Sequence, residues 1–464
     1  MLGLGSLVQG DTVNPYRFEA EKGTLTATHV ESADPGFSGT GYVTGFTLPE
    51  SKVSWQVQVP EGFYEVWLRY RVPEQKGFEL AINGVTYSGM FAPSGLAFGS
   101  MCAATVKLAA GTNTLSVAKG WGYYELDYLE LVPAAAPPPP AAVPDSLIDQ
   151  QATPPTCELM RQLVTLYGHK TLSGVYSEKD AESVQQITGQ TPAILGGDLM
   201  DYSPSRLAHG SKPGSLVEDL LKQAGNGAIL SVCWHWNAPD NLIDATYVNP
   251  QGKTIAAPWY RGFYTDATTF DVGQALAHPQ SKDGQLLVSD IDAIALQLQE
   301  FSDAGVPVLW RPLHEAEGGW FWWGAKGPKP FVQLWQLLYE RLTNVHHLHN
   351  LIWVFSGGPN PDWYPGDRYV DIVGVDAYPR DRRDPLTASW QDEQKAYGGR
   401  KLVALSEFVS VPDIERMTDS GVHFSYFMTW SHSFDPKYLS KEDMIKVYQS
   451  PEVSNRPPAH PPTN

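Results

Sequence analysis

The run Val306-Pro307-Val308-Leu309-Trp310-Arg311-Pro312-Leu313-His314-Glu315, with Gly318-Gly319-Trp320 close behind, is where the reading of this chain turns. An apolar strand runs directly into Arg, His and Glu. Charges taken out of water must be paired or hydrogen-bonded, so the strand either ends in solvent or forms the wall of a site. The surrounding sequence decides between the two.

Seven further strand candidates accompany this one: 171–176, 193–199, 228–236, 351–355, 372–378, 402–407 and 422–430, the quoted run being 306–315. Helix-period stretches separate them. Leu287, Ile291, Ile294, Leu298 and Phe301 fall on one helical face, and Phe331, Leu334, Trp335, Leu338 and Leu342 on another. Eight strands alternating with amphipathic helices predict an α/β fold, a (β/α)8 TIM barrel, with its chemistry at the C-terminal strand ends. An open doubly wound sheet is the rival, but no glycine-rich dinucleotide loop follows the first strand.

The strand ends line up: Trp234-His235-Trp236-Asn237, His314-Glu315, Asp376-Ala377-Tyr378, Ser406-Glu407-Phe408 and Thr429-Trp430-Ser431-His432. Glu315 and Glu407 make a carboxyl pair among Trp, Tyr and His. Such a pair suits glycosidic bond cleavage, in which one carboxyl protonates the leaving oxygen while the other attacks the anomeric carbon. Glu317 is a rival acid, His235 could be a core histidine, and Trp322 and Trp323 read equally well as packing or as sugar contacts.

From about residue 150 to 450 the chain resembles glycoside hydrolase family 26, retaining enzymes among which endo-β-1,4-mannanases predominate. The resemblance rests on Trp310-Arg311-Pro312-Leu313-His314-Glu315 with Trp320, on Leu405-Ser406-Glu407-Phe408 and on Val375-Asp376-Ala377-Tyr378-Pro379. It implies Glu315 as acid/base and Glu407 as nucleophile, with no cofactor for catalysis. His235 and His314 become the histidines that orient the carboxylates and contact sugar, Tyr378 a partner of the nucleophile, and Trp430 a sugar platform. Trp236, Trp320 and Trp323 join the substrate-binding set. The implied partner is a β-mannan-type polysaccharide, with net retention and carboxyls ~5.5 Å apart. A β-1,3-xylanase or mixed-linkage β-glucanase of the same family, or a non-catalytic polysaccharide-binding protein, are the alternatives.

Upstream, Pro133-Ala134-Ala135-Ala136-Pro137-Pro138-Pro139-Pro140-Ala141-Ala142-Val143-Pro144 reads as a polyproline spacer. It predicts a module over 14–132, a linker over 133–145, the barrel over 146–452 and a Pro-rich disordered tail over 453–464. Within the module, Val53, Trp55, Val57 and Val59 alternate with polar residues, as do Tyr64, Val66, Leu68 and Tyr70. Turn signals such as Asn83-Gly84 punctuate them, which predicts an all-β jelly-roll sandwich. The segments Phe18-Glu19-Ala20-Glu21, Gly36-Phe37-Ser38-Gly39-Thr40-Gly41-Tyr42-Val43 and Leu126-Asp127-Tyr128 resemble carbohydrate-binding module family 35. That resemblance implies a structural calcium on Glu19, Glu21 and Asp127 with the carbonyls of Ser38 and Gly41, and a sugar-contacting Trp121.

Composition sets outer limits. A net charge of −18 leaves no basic stripe for nucleic acid or an anionic membrane, and no stretch reaches the length of a membrane span. Fifteen Trp and 22 Tyr supply flat apolar faces of the kind that sugar rings stack on. Cys102, Cys157 and Cys233 have no metal-ligand spacing and allow at most one bridge. Residues 1–6 lack the features of a signal peptide, so either a leader has been removed or this is a fragment, and the expectation of a secreted, extracellular monomer rests on the resemblance.

Overall fold

The computed structural model describes residues 15–430 and 439–456. Two compact units result, one essentially the N-terminal module and the other the barrel. Ser431, His432 and the tail from 457 onward lie outside the described residues.

The module is a sandwich of two antiparallel sheets. One runs in the order His29–Glu31, Tyr42–Thr44, Glu125–Ala134, Gly62–Arg71, Gly99–Leu108, with Tyr16–Glu19 also paired to Glu125–Ala134. The other runs Thr24–Thr26, Lys52–Val59, Gly111–Lys119, Lys76–Ile82, Val85–Phe91. The period-two faces pack as the sequence predicts: Val53, Trp55, Val57 and Val59 from one sheet, and Tyr64, Val66, Leu68 and Tyr70 from the other, share one buried core. The spacer starts later than 133, because the last strand absorbs Pro133 and Ala134. Pro133 pairs with Tyr64 on one side and lies past the end of the Tyr16–Glu19 ladder on the other, so its missing N–H breaks no second bond.

The barrel closes through eight parallel strands: β1 Gly174–Val175, β2 Ile194–Asp198, β3 Ile229–Trp234, β4 Val308–Pro312, β5 Leu351–Phe355, β6 Ile372–Ala377, β7 Leu402–Phe408 and β8 Phe427–Thr429. Val175 opposite Thr429 completes the ring. The two predicted helical faces are buried on helices Lys282–Asp303 and Pro328–Tyr339, the second continuing into a π-helical turn, Glu340–Val345, that buries Leu342. Gly196 on β2 is required by shape, since a Cβ there would lie 2.3 Å from the Tyr176 ring.

Three boundaries differ from expectation. Thr171–Leu172 is not part of β1 but pairs with Val453–Ser454, so ordered structure runs past 452. A strand of two residues joined to one 282 positions away leaves no local signal. The quoted run stops being a strand at Pro312, and Leu313 (φ 50°) and Glu315 (φ 53°) turn left-handed. Apolar character continues through Leu313 because that side chain is buried, which is why periodicity extends the strand too far. All three cysteines are free. No helix among the described residues is long and apolar enough to cross a membrane.

Candidate active site

Arg311, the penultimate residue of β4, organises the C-terminal mouth of the barrel. Its side chain is fully buried, and its guanidinium reaches Glu407 Oε2 at 2.5 Å and Asp376 Oδ2 at 2.6 Å. It also donates to Tyr176 Oη at 3.0 Å and Ser356 Oγ at 3.3 Å. Asp376 on β6 and Glu407 on β7 are register partners. Ser406 Oγ–H donates to Asp376 at 2.6 Å, and Tyr378 donates its phenol proton to the second Glu407 oxygen. Burial pushes Asp376 above the usual carboxylate range against the pull of Arg311.

Glu315 stands on the turn after β4. Its N–H donates to Ser356 O at 2.9 Å, and its Oε2 accepts from Trp320 Nε1 at 2.9 Å. Burial, followed by the charge of Glu407, raises its carboxyl above the ordinary range. Glu317 is also raised, to about 7, but by burial alone and with no contribution from Glu407. The carboxyl that interacts with Glu407 is therefore that of Glu315. Two left-handed residues flank His314, each costing about 1–3 kcal/mol. Trp323 Nε1 holds the turn by donating to His314 O at 2.9 Å.

The histidines form a chain. His235 Nδ1 lies 2.7 Å from Asp198 Oδ2, and His235 Nε2 lies 3.1 Å from His314 Nε2. Both His235 nitrogens are thus engaged within the protein, which leaves its ring face and edge for any ligand. Burial, then the charge of Arg311, holds the His314 imidazole far below its usual range and so neutral. Against burial, His235 and backbone N–H groups hold Asp198 below the usual carboxylate range. Asp198, Cys233 and His235 present ligand atoms within 4.8 Å of one another. Burial pushes the Cys233 thiol well up, however, and hydrogen bonding already accounts for the other two.

The aromatic residues divide sharply. Trp320 and Tyr378 are 47% and 51% exposed, and Trp430 is half-buried, its ring 4.9 Å from Tyr176 and 5.7 Å from His235. Trp236 and Trp323, read from sequence as sugar contacts, are completely buried. Trp236 donates to Asp290 and stacks on Trp234, while Trp323 stacks on Phe321, so both support the site and offer no face to a ligand. Phe263, Tyr264 and Phe321, which packs Tyr264 at 5.5 Å, are further wall residues with no sequence signal of their own. Asp198 was findable, because it ends β2 by the same strand-end rule that flags Glu315.

In the module, Ser38 N–H donates to Asp127 at 2.9 Å, Ser38 Oγ–H to Glu19 at 2.5 Å and Thr40 N–H to Glu21 at 2.9 Å. Glu19, Glu21, Ser38 and Asp127 therefore meet at one loop, and Asp127 is also paired with Arg69. Gly41 packs against Val30 and Glu31. Trp121 is 53% exposed and lies flat on Gly77, where a Cβ would come within 2.4 Å of the indole. Exposed Tyr123 stands near it, with Lys76 Nζ 5.8 Å and 5.4 Å from the two ring centres.

A barrel with a carboxyl pair at its mouth, one member held by Arg and Tyr and the other raised by burial, defines a glycoside-cleaving class of protein. Residues 148–458 match glycosyl hydrolase family 26, and the chain belongs to that family. Residues 16–134 match carbohydrate binding module family 35. The chain is 40% identical over 440 residues to a mannan endo-1,4-beta-mannosidase of Thermothelomyces thermophilus, covering 94% of this chain and 89% of that one. It is 32% identical over 432 residues to mannan endo-1,4-beta-mannosidase B of Piromyces sp, covering 90% and 72%. The crystal structure of a Podospora anserina GH26-CBM35 beta-(1,4)-mannanase superposes with a TM-score of 0.70 at 39% identity, covering 95% and 97%.

Proposed function

We propose that this chain is a secreted endo-β-1,4-mannanase that cuts mannan, glucomannan or galactomannan with net retention. The observation that carries the reading is the asymmetry of the two carboxyls: Glu407 accepts from Arg311 and Tyr378, while Glu315 is raised by burial and by Glu407 itself. Environments that separate two acids in this way assign the acid and the nucleophile. Glu315 gives its proton to the glycosidic oxygen as a Glu407 oxygen attacks the anomeric carbon and the C–O bond breaks. Glu315, now a carboxylate, then takes a proton from water, whose oxygen displaces Glu407 and restores both groups. Trp430 and Tyr378 offer apolar and hydroxyl surface beside the reacting carbon. The names of the relatives support mannan as substrate, and a polymer too large to be taken up supports secretion.

The module would hold the enzyme on polymer through Trp121 and Tyr123. Glu19, Glu21 and Asp127, with oxygens of the Ser38 loop, would hold a calcium ion that clips the start of the module to its end. The fit rests on Glu21 Oε2, which is buried without a partner, and on Gly39, whose missing Cβ would lie 2.3 Å from Glu21 Oε1.

The test is digestion of mannan and xylan by wild type and by Glu407→Ala. Soluble mannooligosaccharides are expected from wild-type enzyme on mannan, with the β-anomer formed first by proton NMR. Glu407→Ala should lose at least ~10⁴-fold, as expected for loss of a nucleophile. Products from xylan alone would overturn the substrate, and an initial α-anomer would overturn the mechanism.

A further inference from the structure

We propose that Asp198 is a positioning residue that sets the proton on both active-site histidines, so that His314 donates through Nε2–H to His235 and keeps a bare lone pair on Nδ1. Asp198 Oδ1 accepts from two backbone donors, His235 N–H at 3.1 Å and Met200 N–H at 2.9 Å. Those two bonds fix the carboxylate and aim Oδ2 at His235 Nδ1, 2.7 Å away. A carboxylate only accepts, so His235 Nδ1 carries a hydrogen, and in the neutral tautomer its Nε2 is then a lone pair. The contact between the two Nε2 atoms, 3.1 Å, holds one hydrogen, and that hydrogen belongs to His314.

His314 is neutral and has no second proton. Its Nδ1 is buried without a protein partner. With the opposite tautomers that atom would be a buried, unsatisfied N–H, and orphaned buried N–H groups are rarer than under-satisfied acceptors. Leu313 and Glu315, the left-handed neighbours of His314, fasten the ring to the turn that carries the acid. Asp198, on β2, thereby sets which nitrogen of the ring next to the acid carries the hydrogen. The inference rests on the reading of Glu315 as the acid.

Asp198→Asn tests it sharply. The two backbone N–H groups keep the amide oxygen where Oδ1 is, so the amide NH2 faces His235 Nδ1 and donates. Both histidines must then reverse: His235 carries its hydrogen on Nε2, and His314 on Nδ1. Imidazole ¹⁵N correlation spectra of the full-length protein, assigned by the signals lost in His235→Asn and His314→Asn, should show both rings switching. With substrate, kcat should fall on the order of 100-fold and KM less than threefold, as for loss of a group that orients an active-site histidine. A wild-type ring pattern in Asp198→Asn, or activity within twofold of wild type, would overturn the proposal. Should that variant not fold, the pair His314→Gln and His314→Asn replaces it. The Gln amide nitrogen stands where Nε2 does and should retain about 10-fold more activity than Asn; equal or reversed activities would overturn the proposal. The spectra need no substrate, so a protein that fails to cleave mannan removes the functional reading while the tautomers are still decided.

Discussion

In the barrel, Glu407 and Asp376 share one fully buried guanidinium, whereas in the module Glu21 keeps a buried oxygen with no partner at all. Both regions gather acids drawn from distant parts of the sequence. The barrel supplies its own cation from β4 and surrounds it with Tyr176 and Ser356, with Glu315 outside that pairing. The module's loop offers N–H and O–H groups and one arginine, which satisfies Asp127 but not Glu21. In the proposed mechanism, a nucleophile that must stay aimed for every turnover benefits from a cation that cannot leave. The proposed calcium, which would only fasten two ends of a domain, can come from solution.

Removing the internal cation is the most damaging way to break this contrast. Arg311→Met leaves Glu407 and Asp376 buried without countercharge and should lower the stability of the barrel by about 3–5 kcal/mol, read by denaturant titration. Arg311→Lys keeps the charge but cannot reach Glu407, Asp376, Tyr176 and Ser356 together, so it should recover part of the stability and little of the activity. If Arg311→Met were as stable as wild type, the acids would not need the pairing seen here.

Much of this was legible in the chain because burial writes period into sequence. Val53 to Val59 alternate because every second side chain meets the opposite sheet, and Leu287 to Phe301 recur because one helical face meets the barrel. Glu315 and Glu407 were legible as acids ending apolar strands. Trp236 and Trp323 were not correctly legible as packing, since a tryptophan inside a wall and one on its face have the same neighbours in sequence. The role of Arg311 was hidden for a related reason. One arginine ending an apolar run looks solvated until the fold brings Asp376 and Glu407, 65 and 96 residues away, to its guanidinium. The left-handed turn around His314 carries no glycine or asparagine to announce it.

The barrel also holds an acid that tests the rule from inside. Among the described residues, Asp290 on helix Lys282–Asp303 accepts only from Trp236 Nε1, at 2.8 Å, and burial pushes it up to about 7. Between its unfolded value near 4 and about 7 the folded chain holds a proton that the unfolded chain has released. Stability therefore falls as pH rises through that window. Asp290→Asn keeps the acceptor and never ionises. It should match wild type near pH 4 and exceed it at pH 8 by up to about 4 kcal/mol in chemical unfolding. An equal pH dependence in the two proteins would mean that Asp290 is ionised at no cost and that the barrel tolerates an unpaired acid.

The smallest effect falls on the module and sharpens the contrast from the other side. An ion bound only by folded protein at 100 times its Kd stabilises by about 2.7 kcal/mol, so calcium should raise the thermal transition of the module and chelation should reverse it. Glu21→Gln should abolish that response, because it removes the charge of the module carboxylate whose Oε2 is buried without a partner. On a short soluble oligosaccharide, which does not depend on tethering to polymer, kcat should be the same with calcium or chelator, since Arg311 already fills the role in the barrel. A calcium-dependent kcat that persists in Glu21→Gln would place an exchangeable cation beside Glu407 and erase the distinction between the two sites. A transition indifferent to calcium in wild type would mean that the module satisfies Glu21 by some route other than a metal ion.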